Sequence, residues 1–322
     1  MSWRTRGGIA AALAIFFGLW LWGNREPQTP YSHRFGTMGT VANFYFYGTR
    51  SAALAADSAA RAEFDRVSAA CNIHDPASEL SRLNATAAKE PFTCSDLLWD
   101  ILLEARRAFE WSNGSFDASI KPLMDLWGFY RRRQSIPSEA EISAARQLVG
   151  WTKIRFDDAK HQVSFSRPGM AIDLGGIAKG YALDLAAEAV RKCGIKFGVL
   201  DLGGNLKLLS PRPGEETFQI GIADPGDPTK TRQLPEFLQL SGHQGVSTSG
   251  SYERFIIWEN RRYSHIINPK SGRASDLRHA ATVAAPTAAM ADWMSTSLYL
   301  DPALEATFRE HVPNLRVVIV EP

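Results

Sequence analysis

Cysteine is scarce in this chain. There are three in 322 residues: Cys71, Cys94 and Cys193. Their spacing matches neither a zinc pattern nor a CxxC redox pair. An odd number leaves at least one thiol unpaired. Cys71 and Cys94 are the only two near in sequence, and either a bridge or two buried free thiols is open for them. A surplus of charge is also missing. The 36 Lys and Arg offset 34 Asp and Glu to a net +2, so no strong field draws the chain to nucleic acid or to an acidic partner. The one basic run, Arg131 to Arg133, leads into Gln134, Ser135 and Pro137, and we read it as a solvated loop. There is no fixed-period repeat, no Walker A loop and no GxGxxG turn. Long hydrophobic runs are absent but for one, at the N-terminus.

What is present suits a folded protein. The chain is 45% hydrophobic and 22% charged, ordinary for a globular domain with a sizeable core. The single apolar run, Gly7 to Trp22, reads GGIAAALAIFFGLWLW without a charge. Arg4 and Arg6 precede it, and Asn24, Arg25 and Glu26 end it. The run is short for a bilayer span, which takes about 20 residues, but Gly23 and the interfacial Trp20 and Trp22 extend it. A cleaved signal peptide is the rival reading. It wants small residues after the run, whereas Leu21, Trp22, Gly23, Asn24 and Arg25 stand there. The expected organisation is an anchor or signal peptide over 1–25, a linker over 26–34 and one domain over 35–322. Arg4 and Arg6 hold the N-terminus in the cytoplasm and send the rest across the membrane.

The remainder reads as α+β, because its elements come in blocks and not in strict alternation. Val41 to Tyr47 has the β-branched and aromatic content of a strand. Ala52 to Ala70 is an alanine-rich helix. Leu97 to Phe109 carries helical periodicity that Asn113-Gly114 stops. Ser138 with Glu141 forms a capping box for a helix through Val149, and Lys153 to Ser166 reads as a hairpin. A helix over Ala178 to Cys193 ends at Gly194. Further strand-like runs are Phe197 to Leu200, Phe218 to Ile222, Arg254 to Trp258, Ala280 to Ala284 and Leu315 to Val320. Ile172-Asp-Leu-Gly-Gly176 and Leu200-Asp-Leu-Gly-Gly204 echo one another as strand ends feeding glycine turns, which suggests an internal duplication.

Four segments carry candidate chemistry, and each has a plain structural alternative. In Ile172 to Asp184 (IDLGGIAKGYALD) an apolar strand runs into Gly175-Gly176, then Lys179, then a helix. Bare amides at such a turn attract phosphate, although glycines also serve close packing. In Ala289 to Thr296, Asp292 and Thr296 are four apart, so a helix puts both oxygens on one side. Such hard donors suit magnesium, although an aspartate there also serves a helix start. Ser247, Thr248 and Ser249 beside Gly250 offer hydroxyls, or a polar turn before a strand. His265 precedes an Asn268-Pro269 turn, where a histidine is either structural or a general base.

Together these segments resemble the ApbE family, the FAD:protein FMN transferases, from about Phe35 to the C-terminus. Further matches are Thr37-Met38-Gly39-Thr40, Ser78 to Asn84 (SELSRLN), and Phe116-Asp117 leading to Pro122-Leu123 and Leu126 to Phe129 (LWGF). The resemblance implies an α+β fold and a Mg2+-dependent transfer of FMN from FAD to a threonine of a target flavoprotein. A subunit of a membrane redox complex is one candidate acceptor. It implies a flavin site at Met38, His74, Ser115, Phe116, Asp117, Asp173, Lys179 and Ile267. It implies a magnesium site at Asp292, Thr296 and the backbone oxygen of Gly176, with His265 as the catalytic residue. Members usually work outside the bacterial inner membrane, on the periplasmic side. Two positions depart from the family's pattern. It often has Tyr where His74 stands, and Asp where Asn268 stands. An FAD pyrophosphatase and a non-catalytic FAD carrier remain as alternatives.

Overall fold

The computed structural model describes residues 30–129, 135–224, 233–250 and 255–321. The N-terminal apolar run, the Arg131 to Arg133 loop and Arg254 lie outside them.

The chain enters as a hairpin, β1 (Tyr31–Thr37) and β2 (Thr40–Tyr47). Met38 at φ 48° and Gly39 at φ 71° form its two-residue turn, the backbone that twisted antiparallel strands demand. Ala42, Phe44 and Phe46 of β2 are fully buried, while Val41 and Tyr45 on the other face are exposed, the period of two that marks a half-buried strand. Helix α1 (Arg50–Cys71) follows, capped by the Thr49 hydroxyl on Ala52 N–H. Next come α2 (Glu79–Thr86), the short β3 (Phe92–Thr93), α3 (Asp96–Trp111), α4 (Lys121–Trp127) and α5 (Glu139–Arg146). The hairpin β4 (Ile154–Asp157) and β5 (Gln162–Phe165) leads to helix α6 (Ala178–Lys192). Strands β6 (Phe197–Leu202), β7 (Asn205–Leu208), β8 (Phe218–Ala223), β9 (Gln233–Leu240), β10 (Gly245–Gly250), β11 (Phe255–Trp258), β12 (Arg261–Ser264) and β13 (Ala280–Ala285) follow. The chain closes on α7 (Ala288–Leu300), α8 (Leu304–His311) and β14 (Arg316–Val320).

A seven-stranded sheet in the order β1-β2-β6-β7-β10-β13-β14 organises the molecule, and every adjacent pair in it is antiparallel. Helix α6 packs on both α1 and α7, and all three pack on this sheet. Their facing residues are small: Ala53, Ala56 and Ala60 on α1, and Ala182, Ala186 and Ala187 on α6, all fully buried. Alanine stripes let backbones approach closely, and Phe44, Phe64, Trp293 and Phe308 fill the rest of one continuous core. Each such fully buried large side chain contributes about 1.5–3 kcal/mol. The α+β expectation holds, because strands and helices come in blocks and not in strict alternation.

Three local expectations differ. Ile172 to Leu174 is not a strand. Its backbone groups are taken by the Asn84 side chain, which donates to Ile172 O at 2.9 Å and accepts from Ile172 N–H at 2.7 Å. Asp173 N–H donates to Ala118 O at 2.7 Å. Only the second echo, Leu200 to Gly204, leaves a strand, so the two lie in different backbone settings. The capping box at Ser138 is present, but its helix ends at Arg146, short of Val149. Val246 to Gly250 is an interior strand between β7 and β13 and not a turn. Cys71 and Cys94 are free and buried, and Cys193 is free and half-buried. Burial pushes both buried thiols up to about 12, with Glu79 adding to it.

Candidate active site

One cavity of about 650 Å³ gathers the end of α1, the β1–β2 turn, the loop after α3, the turn before α6, strand β10, the segment after β12 and helix α7. Every site residue expected from the sequence lines it: Met38, His74, Ser115, Phe116, Asp117, Asp173, Gly176, Lys179, His265, Ile267, Asp292 and Thr296.

Each is placed by its local chemistry. Met38 sits at the positive-φ tip of the hairpin. His74 follows α1, and its N–H donates to Asn72 Oδ1 at 3.0 Å. The loop holding Ser115 and Phe116 is folded by Ser112, whose Oγ accepts from Phe116 N–H at 2.9 Å. Asp117 is buried and accepts from Ser119 N–H at 2.8 Å, Ser119 Oγ at 2.6 Å and Trp151 N–H at 3.1 Å. Burial raises its carboxyl above the usual carboxylate value, against the lowering pull of these donors. Asp173 is buried as well and accepts from Gly175 N–H at 2.8 Å, which shapes the glycine turn. Ile267 is held by a bridge to Ala274.

Opposite, Lys179 and α7 meet. Lys179 Nζ lies 3.7 Å from Asp292 Oδ1 and donates to Gly175 O at 3.3 Å. Asp292 is 4% exposed, and its Oδ2 accepts from Gly180 N–H at 3.1 Å. Thr296 Oγ1 donates to Asp292 O at 3.3 Å and lies 3.2 Å from Ser249 Oγ. Gly176 is next to both Phe116 and Thr296: a Cβ on it would come within 3.0 Å of the Phe116 ring and 3.9 Å of Thr296 Oγ1. One carboxylate, one hydroxyl and a glycine backbone make a hard-oxygen set that fits magnesium, which keeps waters and shares substrate phosphates. No cluster of three or more His, Cys, Asp or Glu exists among the described residues.

Asn205 also lines the cavity and had no expected role. Asn205 is buried, and its Oδ1 accepts from Ser247 Oγ at 2.8 Å, while Nδ2 has no partner among the described residues. Ser247 connects through Ser295 at 3.2 Å to Ser249 at 2.9 Å, and so to Thr296. The second Leu-Asp-Leu-Gly-Gly run marks the neighbourhood of Asn205, but only tertiary pairing joins it to α7. Asn268 shapes the turn after His265, accepting from Lys270 N–H at 2.9 Å and Ser271 N–H at 3.1 Å.

The sequence pattern of the ApbE family matches residues 38–318. The chain belongs to the ApbE family. It is 29% identical to the FAD:protein FMN transferase of Vibrio cholerae over 292 residues, 88% of this chain and 85% of that one. The Salmonella typhimurium enzyme of the same name is 32% identical over 69% of this chain, and the match spans 64% of that protein. Among solved structures, the ApbE protein of Thermotoga maritima superposes with a TM-score of 0.82 at 26% identity, over 91% of this chain and 94% of that one. The flavin transferase ApbE of Vibrio cholerae superposes at 0.80 and 26%, over 92% and 94%.

Proposed function

We propose that this ApbE-family enzyme transfers the FMN half of FAD to a threonine hydroxyl of a target flavoprotein and releases AMP, with magnesium as its metal. The observation that carries the reading is one cavity of about 650 Å³ holding Lys179, Asp292, Thr296 and His265 together, in a chain whose relatives are FAD:protein FMN transferases. The size is that of a small-molecule site.

The threonine oxygen attacks the FMN phosphorus, a new P–O bond forms, and the pyrophosphate P–O bond to AMP breaks. His265 takes the hydroxyl proton, a role that an imidazole suits near neutral pH. AMP departs with the bridging oxygen and its electron pair. Lys179 offsets the pyrophosphate's negative charge, and the amides of the Gly175-Gly176 turn offer it donors. Asp292, Thr296 and the Gly176 carbonyl would hold magnesium. Bound there, magnesium would neutralise phosphate charge and stabilise the leaving group. Met38, Phe116 and Ile267 give the apolar surface that an isoalloxazine ring requires, with Asp117 and Asp173 shaping the loops behind it. His74, where relatives often carry tyrosine, supplies a smaller ring. Catalysis is then positioning plus charge stabilisation.

We further propose that residues 1–25 anchor the chain in the bacterial inner membrane, with the domain on the periplasmic side. A flavoprotein subunit of a membrane redox complex is the partner that such an address favours.

The test incubates the protein with FAD and Mg2+, with and without a threonine-bearing acceptor domain, and reads in-gel flavin fluorescence beside free FMN and AMP. Covalent labelling with stoichiometric AMP supports transfer. Free FMN with no labelling indicates a pyrophosphatase, and FAD that stays bound and intact indicates a carrier.

A further inference from the structure

Helix α7 carries both Asp292 and Thr296, so whatever fixes its register fixes the proposed metal site. Its start lies in backbone contact with two glycines. A Cβ on Gly180 of α6 would fall 2.2 Å from Ala288 O, and one on Gly245 of β10 would fall 2.2 Å from Ala288 Cα. These contacts set how near the helix lies. They leave its rotation and its slide along its own axis to directional bonds.

Those bonds come from Asp184. A helix leaves its first amides without intrahelical acceptors. The Thr287 hydroxyl accepts from Met290 N–H at 3.1 Å. The amides of Ala288 and Ala289 go instead to another helix: Asp184 Oδ1 accepts from Ala288 N–H at 2.9 Å and Oδ2 from Ala289 N–H at 3.0 Å. Asp184 stands four residues after Gly180, on the same face of α6, and Gly180 N–H is the donor to Asp292 Oδ2. One face of α6 thus grips α7 twice, once at its first turn and once at the metal-ligand carboxylate. Lys207 of β7 completes the clamp. Its Nζ lies 2.8 Å from Asp184 Oδ1 and donates to Pro286 O at 3.1 Å, and it is 5% exposed. A buried ammonium with two directed bonds ties the carboxylate to the sheet and to the residue pair that opens α7.

We propose that Asp184 and Lys207 are positioning residues for the metal site. They set the register of α7 so that Asp292 and Thr296 face Gly176 and Lys179. This rests on the magnesium reading above. Ala288, Asp292 and Thr296 repeat every four residues and share one helix face, so a shift at Ala288 is carried along a rigid rod to both ligands. Magnesium demands near-ideal octahedral geometry, which makes the site sensitive to a displacement that the fold itself tolerates.

The test uses the full chain and Mn2+ as probe, titrated with ADP present as a pyrophosphate, with free Mn2+ read by electron paramagnetic resonance. Asp184→Asn keeps one acceptor oxygen and leaves Lys207 without its counter-charge. It should weaken Mn2+ binding by about 10–100-fold, as loss of a ligand-orienting partner does, and lower kcat with little change in KM for FAD. Lys207→Met should weaken Mn2+ binding in the same direction, and it decides the matter if Asp184→Asn does not fold. Folded variants that bind Mn2+ as tightly as wild type, whatever their melting temperature, would reduce the pair to a purely structural role and overturn the inference. Wild-type protein that binds no Mn2+ would overturn the magnesium reading itself, and this inference with it.

Discussion

His265 is the residue on which transfer and mere binding part. It lines the cavity with Ile267, and the turn that follows is locked by Asn268 accepting two amides. As the general base its loss should slow FMN transfer by about 10²–10⁴-fold. FAD affinity should stay within a few-fold, because Lys179 and the glycine-turn amides do not depend on it. Single-turnover acceptor labelling beside FAD titration of His265→Ala checks both, and a parallel fall of binding and rate would make His265 a binding residue. Asp117 makes a different prediction. Its folded-state pKa is raised by burial, so the native state holds a proton where the unfolded chain has lost it. Stability therefore falls as pH rises from near the ordinary aspartate value through the raised one, then levels off. Asp117→Asn should lack that slope. Urea midpoints of both proteins from pH 3.5 to pH 7 (about the range over which carboxylates titrate) decide it, and parallel curves would refute it. Residue types at this scale were legible wherever chemistry is local: Asp292 with Thr296 at helical spacing, Lys179 after paired glycines. Asn205 was not, because its link to Ser247 spans 42 residues of sequence and no local pattern encodes it.

Elements were legible in proportion to how local their causes are. Helix α1 follows from its alanine-rich run, α3 from its periodicity, and α3 and α6 stop at Asn113-Gly114 and at Gly194, all in positive-φ conformations. Strand β2 follows from its β-branched and aromatic content. Ile172 to Leu174 failed because a side chain 88 residues away takes the place of a neighbouring strand. β10 was hidden by Ser247, Thr248 and Ser249, whose hydroxyls resemble turn chemistry and instead bond to α7 and to Thr282. The same element, α7, carries the clearest metal test. Asp292→Ala should leave the fold intact, since Thr287 and Asp184 still hold the helix start, yet abolish Mg2+-dependent turnover. Near-wild-type rates in that variant, or full activity in excess chelator, would end the magnesium reading. Gly180→Ala tests packing in the same place. Its Cβ would meet the Ala288 carbonyl at 2.2 Å, a clash with backbone that cannot swing aside. It should cost about 1–3 kcal/mol, the usual range for overpacking, and lower the melting temperature measurably. An unchanged melting temperature would mean that α6 and α7 separate without strain.

At the scale of the whole molecule, the α+β class was legible from the blocks of elements, but the order of the large sheet was not. Pairing of β2 with β6 joins Ala42 to Leu202, and nothing in either segment names the other. The cavity exists only because that order brings the first hairpin, the Lys179 turn and the last helix to one place. The proposed address is the reverse case, since it rests wholly on a local run outside the described residues. No helix among those described is long and apolar enough to cross a membrane, and the proposed anchor is the run Gly7 to Trp22. Seven Leu, Ile or Phe side chains in that run, at about −0.3 to −0.6 kcal/mol each, favour insertion by roughly 3 kcal/mol. In that proposal Arg4 and Arg6 would orient the run with the N-terminus inside, and Trp20 and Trp22 would suit the far interface. A signal peptidase would need small side chains where Leu21 to Arg25 stand. On this proposal the mature chain should keep residues 1–25, sediment with membranes, resist carbonate extraction and be digested by protease added to spheroplasts. Replacing Arg4 and Arg6 with Glu should weaken that orientation and leave part of the population protected. A mature N-terminus beyond residue 20, or full release by carbonate, would show instead a cleaved leader and a freely moving periplasmic enzyme.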